Sequence, residues 1–531
     1  MNGHVIVVDL GYGDAGKGTI VDWLCAPRAQ SQSTVQSSRG KPARPVQAVV
    51  RFNGGAQAAH HVLARGGRHG AGHSGEPHAF AQFGSGTFTL GTRTFLSRFM
   101  LVDPLALVAE AQHLERLGVP DPFGLVAVDR DALLTTPYHR AANQAREEAR
   151  GDGRHGSCGM GIGETASYAL AHPEDAPRVG DIASRRTLMS KLGKLRDRLF
   201  MGSAPVPLPD DIADVYRAVA ERLTLTGDGY LKRLLRQGPV VFEGAQGVLL
   251  DEWCGFHPYT TWSTTTFANA ETLLRESGDE AGATRLGVTR AYQTRHGPGP
   301  FPTEDPTLAI PEPHNANGRW QGPFRTGHLD AVALGYAAEA AGGVDAVALT
   351  HLDTASGHAG VLKICRAYDV HGRTVSRIEP GPPEDLEYQE SLTATLLQAR
   401  PVYDEAALNT DDDWANAVAG IVRAPVVIGS HGPAVTDKTW CPAQVLTIGL
   451  RVCPIRFSTP PRRPRPAMAV TATSPLLTDE LTWTWRSPRK WAARAPAQTR
   501  KNCSRPGMPL ASTARCALPR AASMPRLATR R

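Results

Sequence analysis

The chain has 531 residues, of which 41% are hydrophobic, and its 58 basic and 51 acidic side chains give a net charge of +7. This length suits one large α/β domain with appendages or several ordinary domains, and it is ample for a buried core. The sequence contains no run of about 18 apolar residues, so we predict no transmembrane helix. Its N-terminus has no basic segment typical of a signal peptide. Eight cysteines without a CxxC pair indicate no disulfide framework, so we expect a cytoplasmic protein.

Residues 451–531 carry much of the positive charge. They hold 17 of the basic and two of the acidic residues, a net charge of +15, which leaves −8 for residues 1–450. The segment contains 12 prolines and shows no helical or strand period, so we predict disorder. Two other interpretations are a product of a shifted reading frame and a nucleic-acid-binding arm. We assign the chemistry to residues 1–450 and do not expect nucleic acid as the main partner.

Six short apolar runs predict buried strands in residues 1–450. Each is rich in β-branched residues, and they span residues 5–10, 46–52, 240–243, 287–292, 344–349 and 425–428. The clearest helix begins at Asp103-Pro104, a cap residue followed by proline, and ends at Gly118. Alternating strands and helices predict an α/β fold, in which a large, mostly parallel sheet is flanked by helices. Ligands of such sheets bind beyond the carboxyl ends of the strands.

Two segments are typical of insertions. Residues 28–45 are rich in Ser, Gln and Arg without a period and predict a flexible loop. Residues 64–77 are rich in Gly and His. The histidines of this region, His69, His73 and His78, are irregularly spaced, which favours a solvated loop over an ordered metal site.

The first predicted strand is followed by the sequence GYGDAGKGT, residues 11–19. This sequence matches most of the P-loop pattern of nucleoside triphosphatases, in which main-chain N–H groups and a helix start face phosphate oxygens. In one departure, Gly18 replaces the Ser or Thr that holds Mg²⁺; in another, Asp14 places a carboxylate beside the phosphates. That carboxylate requires a metal or a proton-transfer role; otherwise the segment is a glycine-rich turn. The residues expected at the phosphates are Gly13, Ala15, Gly16, Lys17 and Gly18.

Further blocks follow this loop in the order found in the adenylosuccinate synthetase family, which the chain resembles over about residues 3–440. They are VVRFNGGAQAAHH (49–61), FEGAQG (242–247), PYTT (258–261), AYQTR (291–295), GPFPTE (299–304), TGHLD (326–330) and LTHLD (349–353). The resemblance implies a ligase that converts IMP, GTP and L-aspartate into adenylosuccinate, GDP and phosphate through a 6-phosphoryl-IMP intermediate. It also implies Mg²⁺ and a homodimer.

The resemblance implies roles for individual residues of these blocks. Asp14 matches the general base for N1 of IMP, His60 the acid that stabilises the transferring phosphoryl group, and Gln246 the amide near O6. Asp14 and the main-chain carbonyl of Ala59 match Mg²⁺ ligands. Taken alone, His60 and Gln246 have ordinary structural interpretations as a surface histidine and a polar residue at a strand end.

Other positions match nucleotide contacts of the family. Asp353 matches the carboxylate that accepts hydrogen bonds from guanine, and Ser430 and Gly432 resemble the segment that closes over the base. Thr261 matches a hydroxyl that contacts the nucleotide phosphate. A cap or turn role is the alternative for Asp353 and Thr261.

The chain departs from the family in several places. Residues 56–59 read AQAA where the family has His-Asn-Ala-Gly, and His351 replaces the lysine before the guanine-reading aspartate, which leaves ATP as an alternative to GTP. Ser157 and Cys158 stand in a loop that normally reads Thr-Thr-Gly-Arg and are the expected phosphate contacts. The loop that binds L-aspartate in the family has a different sequence here. It keeps two arginines, Arg319 and Arg325, whose guanidinium groups can bind a carboxylate; the alternative for each is a surface arginine.

These departures resemble a divergent branch of the family. A viral branch that acts on dGMP has a smaller residue in place of the loop aspartate, so the retained Asp14 favours an IMP-like acceptor. A paralogue acting on another 6-oxopurine nucleotide is one alternative. A GTP-binding switch without ligase activity is another.

Overall fold

A computed structural model of the protein describes residues 3–27, 44–66, 72–199, 206–279, 281–312, 315, 319–358, 360–404 and 408–441. The predicted tail, 451–531, lies outside the described residues, as does nearly all of the predicted loop at 28–45. No helix in the described ranges is both long enough and apolar enough to cross a membrane.

Twenty strands and twelve helices occur in the described ranges, and they alternate along much of the chain. The strands are β1 His4–Asp9, β2 Ala48–Arg51, β3 His60–Gly66, β4 Gly72–Phe80, β5 Arg93–Leu96, β6 Leu101–Val102, β7 Val126–Asp129, β8 Leu133–Leu134, β9 Thr224–Thr226, β10 Val240–Gly247, β11 Ala283–Arg290, β12 Gln293–His296, β13 Phe324–Gly327, β14 Leu329–Asp330, β15 Ala346–Thr350, β16 Ile364–Val370, β17 Arg373–Val375, β18 Arg400–Tyr403, β19 Val426–Ser430 and β20 Lys438–Trp440. The helices are α1 Lys17–Cys25, α2 Pro104–Arg116, α3 Pro137–Ala149, α4 Ile162–Ala171, α5 Arg185–Leu199, α6 Pro209–Ala220, α7 Tyr230–Gln237, α8 Ala268–Glu276, α9 Ala331–Ala340, α10 Leu352–Gly357, α11 Leu386–Leu396 and α12 Asp411–Val422.

Ten strands form the central sheet, in the order β20-β19-β15-β11-β1-β10-β2-β5-β7-β9. Every neighbouring pair is parallel except β19 and β20. The six predicted strands correspond to β1, β2, β10, β11, β15 and β19, so the predicted α/β fold with a large, mostly parallel sheet is confirmed. Parallel strands buried on both faces need apolar side chains at nearly every position, and this requirement made them visible in the sequence.

Strand β1 shows how the sheet separates two layers of core. Val5 and Val7 pack with α1 in one hydrophobic cluster, whereas Ile6 and Val8 point to the opposite face and join a larger cluster. Successive side chains of a strand alternate between faces, so one apolar run supplies both layers. The carboxyl ends of β1 and its neighbours are thereby fixed side by side between two packed layers.

The helix expected from Asp103-Pro104 is confirmed as α2. The Asp103 carboxylate accepts hydrogen bonds from the main-chain N–H groups of Leu105 and Ala106, and Gly118 follows the helix with a left-handed φ of +95°. The capping aspartate satisfies N–H groups that the first helical turn leaves without partners.

The described parts of the predicted loop at residues 64–77 are strands, so the expectation of a loop is wrong there, while Glu76 and Pro77 are exposed. Strands β3 and β4 pair antiparallel as a hairpin, in which His60 lies opposite Phe80 and Val62 lies opposite His78. His78 is buried against the ring of Phe80. The alternating apolar side chains Val62, Ala64 and Phe80 give the hairpin its buried face, a signal that the glycines and histidines obscured.

Candidate active site

A cavity lies at the carboxyl ends of β1 and β10, where the sheet geometry places ligands. The residues that line it come from the loop after β1, the segment before β3, the ends of β10 and β12 and one nearby leucine: Tyr12, Gly13, Asp14, Gln57, Ala58, Ala59, His60, Gln246, Leu250 and His296. The structure thus brings together the predicted catalytic residues Asp14, His60 and Gln246, with Ala59 among them.

The phosphate loop is organised around a buried carboxylate. Asp9 accepts hydrogen bonds from the main-chain N–H groups of Gly11 (2.7 Å) and Ala15 (2.8 Å) and from Nζ of Lys17 (3.0 Å). Lys17 also donates to the carbonyl of Gly13 (2.5 Å), and both members of the Asp9–Lys17 pair are buried. The loop therefore holds its lysine through an ion pair that the sequence pattern did not predict.

Gly18 and Gly16 fix the start of α1. Gly16 precedes the helix in the left-handed conformation, with φ +86°. A Cβ on Gly18 would lie 2.6 Å from Cβ of His60, closer than carbon atoms can approach. The missing Ser or Thr at position 18 thus makes room for His60 to pack against the phosphate loop.

His60 belongs to a buried hydrogen-bonded group. Its Nδ1 donates to Oε1 of Glu243 (2.7 Å), and the same carboxylate accepts hydrogen bonds from the N–H (3.0 Å) and the hydroxyl (2.5 Å) of Ser85. Burial alone would raise the pKa of Glu243, but His60, Arg51 and the hydrogen bond from Ser85 lower it to about 2, so the side chain is ionised. An ionised partner keeps the proton of His60 on Nδ1 and leaves Nε2 available to a ligand.

Asp14 is held at both its main chain and its side chain. Nε of Arg290 donates to its carbonyl (2.5 Å), and Nε2 of His296 lies 3.4 Å from Oδ2 of its carboxylate. Arg290 also pairs with Glu312, in the segment that leads to the rewritten aspartate loop. Burial lowers the pKa of His296, and the charge of Asp14 opposes that effect.

Gln246 adopts a strained backbone conformation at the end of β10. Its φ is +57°, in a left-handed region that residues other than glycine rarely occupy. Its Oε1 is buried and has no hydrogen-bond partner in the described part of the chain. Both polar side-chain atoms of Gln57 share that condition. Such groups are costly without a partner and indicate that a polar ligand belongs in the cavity.

A second cavity of about 310 Å³ is rich in cationic side chains. It is lined by Arg154, Arg319, Arg325, Trp320, Gln321 and the neighbouring residues Gly156, Gly297, Pro298, Gly322 and Pro323. The structure thus places both predicted carboxylate forks, Arg319 and Arg325, on one cavity. Arg325 donates to Glu304 (2.9 Å) and to the carbonyl of Gly299 (2.9 Å), whereas Arg319 stacks on Trp320 with 4.7 Å between guanidinium and ring centre.

The residues expected at the guanine lie on α10 and beyond β19. Burial lowers the pKa of His351 to about 3, so its ring is uncharged, and it packs edge-on against Tyr292. Asp353 is exposed, and its charge acts on Lys438, whose pKa burial lowers to about 8. Lys438 donates to the carbonyl of Gly432 (2.7 Å), and Ser430 donates to the same carbonyl (3.2 Å). Asp353 is thus close enough to the 430–438 segment for its charge to act on Lys438.

The three residues predicted to contact the nucleotide phosphate, Thr261, Ser157 and Cys158, differ in their hydrogen bonding and packing. Thr261 is buried, and its hydroxyl has no hydrogen-bond partner among the residues that the structure describes, which suits contact with a ligand. The hydroxyl of Ser157 accepts from Asn143 (2.9 Å), and Cys158 packs in an apolar cluster with Met160 and other side chains. The structure does not place Ser157 or Cys158 on the cavity of the catalytic residues.

Asp9, Glu243 and His296 are among the residues of the site that carried no predicted role. A signal existed for the first two, since each is an acidic residue within an otherwise apolar strand, where a charge needs a partner. For His296 the sequence offered only its position directly after the AYQTR block. Its contact with Asp14 joins residues far apart in the chain and needed the structure.

Comparison with known proteins shows the family of the chain. A family model described as adenylosuccinate synthetase matches residues 6–433. The adenylosuccinate synthetase of Anaeromyxobacter dehalogenans is 31% identical over 416 residues, covering 76% of this chain and 86% of the relative. That of Acidithiobacillus ferrooxidans is 30% identical over 469 residues, covering 85% and 97%. A structure of fully ligated adenylosuccinate synthetase from Plasmodium falciparum has the same fold, with a TM-score of 0.63 at 20% identity, over 82% of this chain and 99% of that one. The chain belongs to the adenylosuccinate synthetase family, whose members join IMP to L-aspartate in purine biosynthesis.

Proposed function

We propose that Asp14, His60 and Gln246 form the centre at which this ligase phosphorylates O6 of IMP with GTP and then replaces the phosphate by the amine of L-aspartate. One observation carries the proposal: the three side chains line a single cavity beside the phosphate loop. The first and the last of the three, Asp14 and Gln246, are 232 residues apart in the chain, and the three side chains bring different functional groups, a carboxylate, an imidazole and an amide.

The chemistry assigns each side chain a distinct task. O6 of a neutral 6-oxopurine is a weak nucleophile, and removal of the N1 proton by Asp14 places negative charge on it. His60, with Nδ1 committed to Glu243, presents Nε2 to the phosphoryl group and stabilises its charge when protonated. Gln246 has an amide whose oxygen lacks a hydrogen-bond partner among the described residues, and it positions the purine near O6.

The oxygen atoms around the phosphate loop fit Mg²⁺. The Asp14 carboxylate and the main-chain carbonyl of Ala59 are hard oxygen donors on the same cavity, and nucleotide phosphates would complete the set. Bound there, Mg²⁺ would neutralise charge on the phosphates. The missing hydroxyl at Gly18 is consistent with this arrangement, because Asp14 supplies the metal ligand instead.

The remaining predicted contacts complete the proposal. Gly13, Ala15, Gly16, Lys17 and Gly18 hold the GTP phosphates, and Asp353 with Ser430 and Gly432 holds the guanine. The uncharged His351 makes base selectivity depend on Asp353. Arg319 and Arg325 hold the carboxylates of L-aspartate.

Thr261, Ser157 and Cys158 are assigned to the nucleotide phosphate. The hydroxyl of Ser157 accepts a hydrogen bond from Asn143 and retains its O–H for a phosphate oxygen, whereas Cys158 is packed in an apolar cluster. We further propose that residues 1–450 act as the catalytic domain in a cytoplasmic homodimer, without need of residues 451–531.

A substrate panel tests the function. Purified protein with Mg²⁺ is supplied with GTP or ATP, with L-aspartate, and with IMP, dGMP or no acceptor. We expect GTP consumption and adenylosuccinate formation only when IMP and aspartate are both present. GTP hydrolysis that is indifferent to IMP would indicate a nucleotide switch, and turnover of dGMP alone would indicate the other acceptor. A chain shortened to residues 1–450 should keep full activity.

A further inference from the structure

His296 is a buried polar residue of the catalytic cavity with no assigned role. It ends β12, its side chain is 5% exposed, and it lines the cavity together with Asp14, His60 and Gln246. Its ring lies against Phe324, with 4.7 Å between ring centres and an interplanar angle of 60°, so packing restricts its rotation. A rigid imidazole at this place has a fixed direction toward the loop after β1.

The nearest charged group to this ring is the carboxylate of Asp14. Nε2 of His296 lies 3.4 Å from Oδ2, and in the described part of the chain neither ring nitrogen has a hydrogen bond of good geometry, although the side chain of Asn315 is close enough to affect the pKa of the ring. A neutral imidazole carries one N–H, and the neighbouring carboxylate favours the tautomer in which that N–H is on Nε2. Hydrogen bonds in catalytic sites are often long before the substrate binds and shorten in the complex.

Asp14 needs such a partner for its side chain. Its carbonyl is fixed by Arg290, but this contact leaves the carboxylate free to rotate about its Cβ–Cγ bond. Among the described residues, His296 is the one basic side chain within 4.0 Å of that carboxylate. A carboxylate has about four acceptor positions, so a bond from His296 leaves room for a metal ion and for the N1 proton of the purine.

We propose that His296 is a positioning residue for Asp14: its Nε2–H donates to Oδ2 and aims the other oxygen at N1 of the purine. This inference rests on the proposed role of Asp14 as the general base. Arg290 and His296, at the ends of β11 and β12, thereby hold Asp14 at its main chain and at its carboxylate. Loss of the correct orientation of a catalytic base lowers the reaction rate about 10- to 100-fold.

Two substitutions separate positioning from packing. His296→Leu keeps an apolar side chain against Phe324 and removes the donor, whereas His296→Gln keeps an N–H donor at similar reach. His328→Leu is the matched control, because His328 is also buried and contacts a carboxylate, Asp305 at 3.2 Å, but does not line the cavity. Thermal unfolding of each variant verifies that it is folded.

The first half of the reaction provides the readout. GTP labelled with ¹⁸O at the β–γ bridge scrambles its label when the γ-phosphoryl group moves to IMP and back, without aspartate. We expect His296→Leu to lower kcat and scrambling together by about 10- to 100-fold at an unchanged KM for aspartate, and His296→Gln to recover most of the loss. Activity of His296→Leu within twofold of the original, or equal losses in the Leu and Gln variants, would overturn the proposal.

Failure of the inference is distinguishable from failure of the proposed function. If the unaltered protein makes no adenylosuccinate from IMP, GTP and aspartate, the proposed function itself is wrong. If the unaltered protein is active and Asp14→Asn is inactive, but His296→Leu is fully active, only the role of His296 is wrong.

Discussion

Replacing Glu243 by glutamine removes the charge that fixes the tautomer of His60. The carboxylate accepts three hydrogen bonds, from His60 and from the N–H and hydroxyl of Ser85. A glutamine side chain has one oxygen and one NH₂ group, so it cannot accept all three on two oxygens. Where its NH₂ faces His60, Nδ1 must become the acceptor and the proton must move to Nε2. We therefore expect kcat to fall about 10²- to 10⁴-fold, the range for loss of a correctly oriented acid or base.

The same substitution has a stability consequence that depends on pH. Burial opposes the ionised form of Glu243, but His60, Arg51 and Ser85 outweigh it and lower the pKa from 4.5 to about 2 in the folded protein. Because the pKa of Glu243 is lower in the folded protein than in the unfolded chain, the ionised side chain stabilises the fold. This stabilisation is fully present above pH 4.5 and is lost as the pH falls toward 2. The stability that the ionised Glu243 contributes therefore decreases as the pH falls below 4.5.

Two measurements check this reasoning against a matched control. The free energy of unfolding is measured in urea at pH 7 and at pH 3.5. The difference in this free energy between the original protein and Glu243→Gln should be smaller at pH 3.5. Glu110→Gln is the control, because Glu110 is a buried carboxylate that accepts main-chain hydrogen bonds from Ala81, Gln82 and Phe83 and does not line the cavity. It should lose stability but keep kcat. A Glu243→Gln protein with kcat within threefold of the original would refute the role given to the carboxylate.

Other substitutions test the remaining parts of the site. Gly18→Ala places a Cβ 2.6 Å from Cβ of His60, so kcat should fall about 10- to 100-fold. The free energy of unfolding, measured in urea, should fall by about 1–3 kcal/mol. Gly193→Ala is the control and should not lose activity, because a Cβ at Gly193 would meet open space. Asp353→Asn should raise KM for GTP about 10-fold or more and leave KM for IMP unchanged; equal changes in both would contradict guanine recognition. Arg325→Lys loses the planar fork, so steady-state kinetics should show a KM for aspartate raised about 10-fold at constant KM for GTP.

Local pattern was enough to predict the sheet. Strands such as β1 and β15 are mostly apolar because both faces are buried, so each was visible in a few consecutive residues. The hairpin of β3 and β4 was not predicted, since its Gly- and His-rich sequence matches a loop and its burial depends on packing against the rest of the fold. Propensity is a weak guide wherever tertiary contacts decide.

The catalytic centre shows a different limit. Asp14 and His60 lie in recognisable blocks, but the partners that control them are distant in the chain: 183 residues separate His60 from Glu243. A parallel sheet brings such residues together at the carboxyl ends of adjacent strands, and no local sequence pattern records which pairs will meet. The blocks therefore predicted the candidate catalytic residues, and only the fold showed which side chains contact them.

The phosphate loop shows why the overall charge says little about nucleotide binding. Lys17 is the one lysine of the loop, and Asp9 already neutralises it in a buried ion pair, while the same carboxylate occupies the N–H groups of Gly11 and Ala15. A triphosphate that enters must share Lys17 with Asp9 and also meets the carboxylate of Asp14. Negative charge on the nucleotide thus faces two carboxylates and one paired lysine, an arrangement that repels phosphate unless a divalent cation binds with it. The proposed Mg²⁺ would offset this repulsion, and the +7 of the whole chain does not alter the local balance.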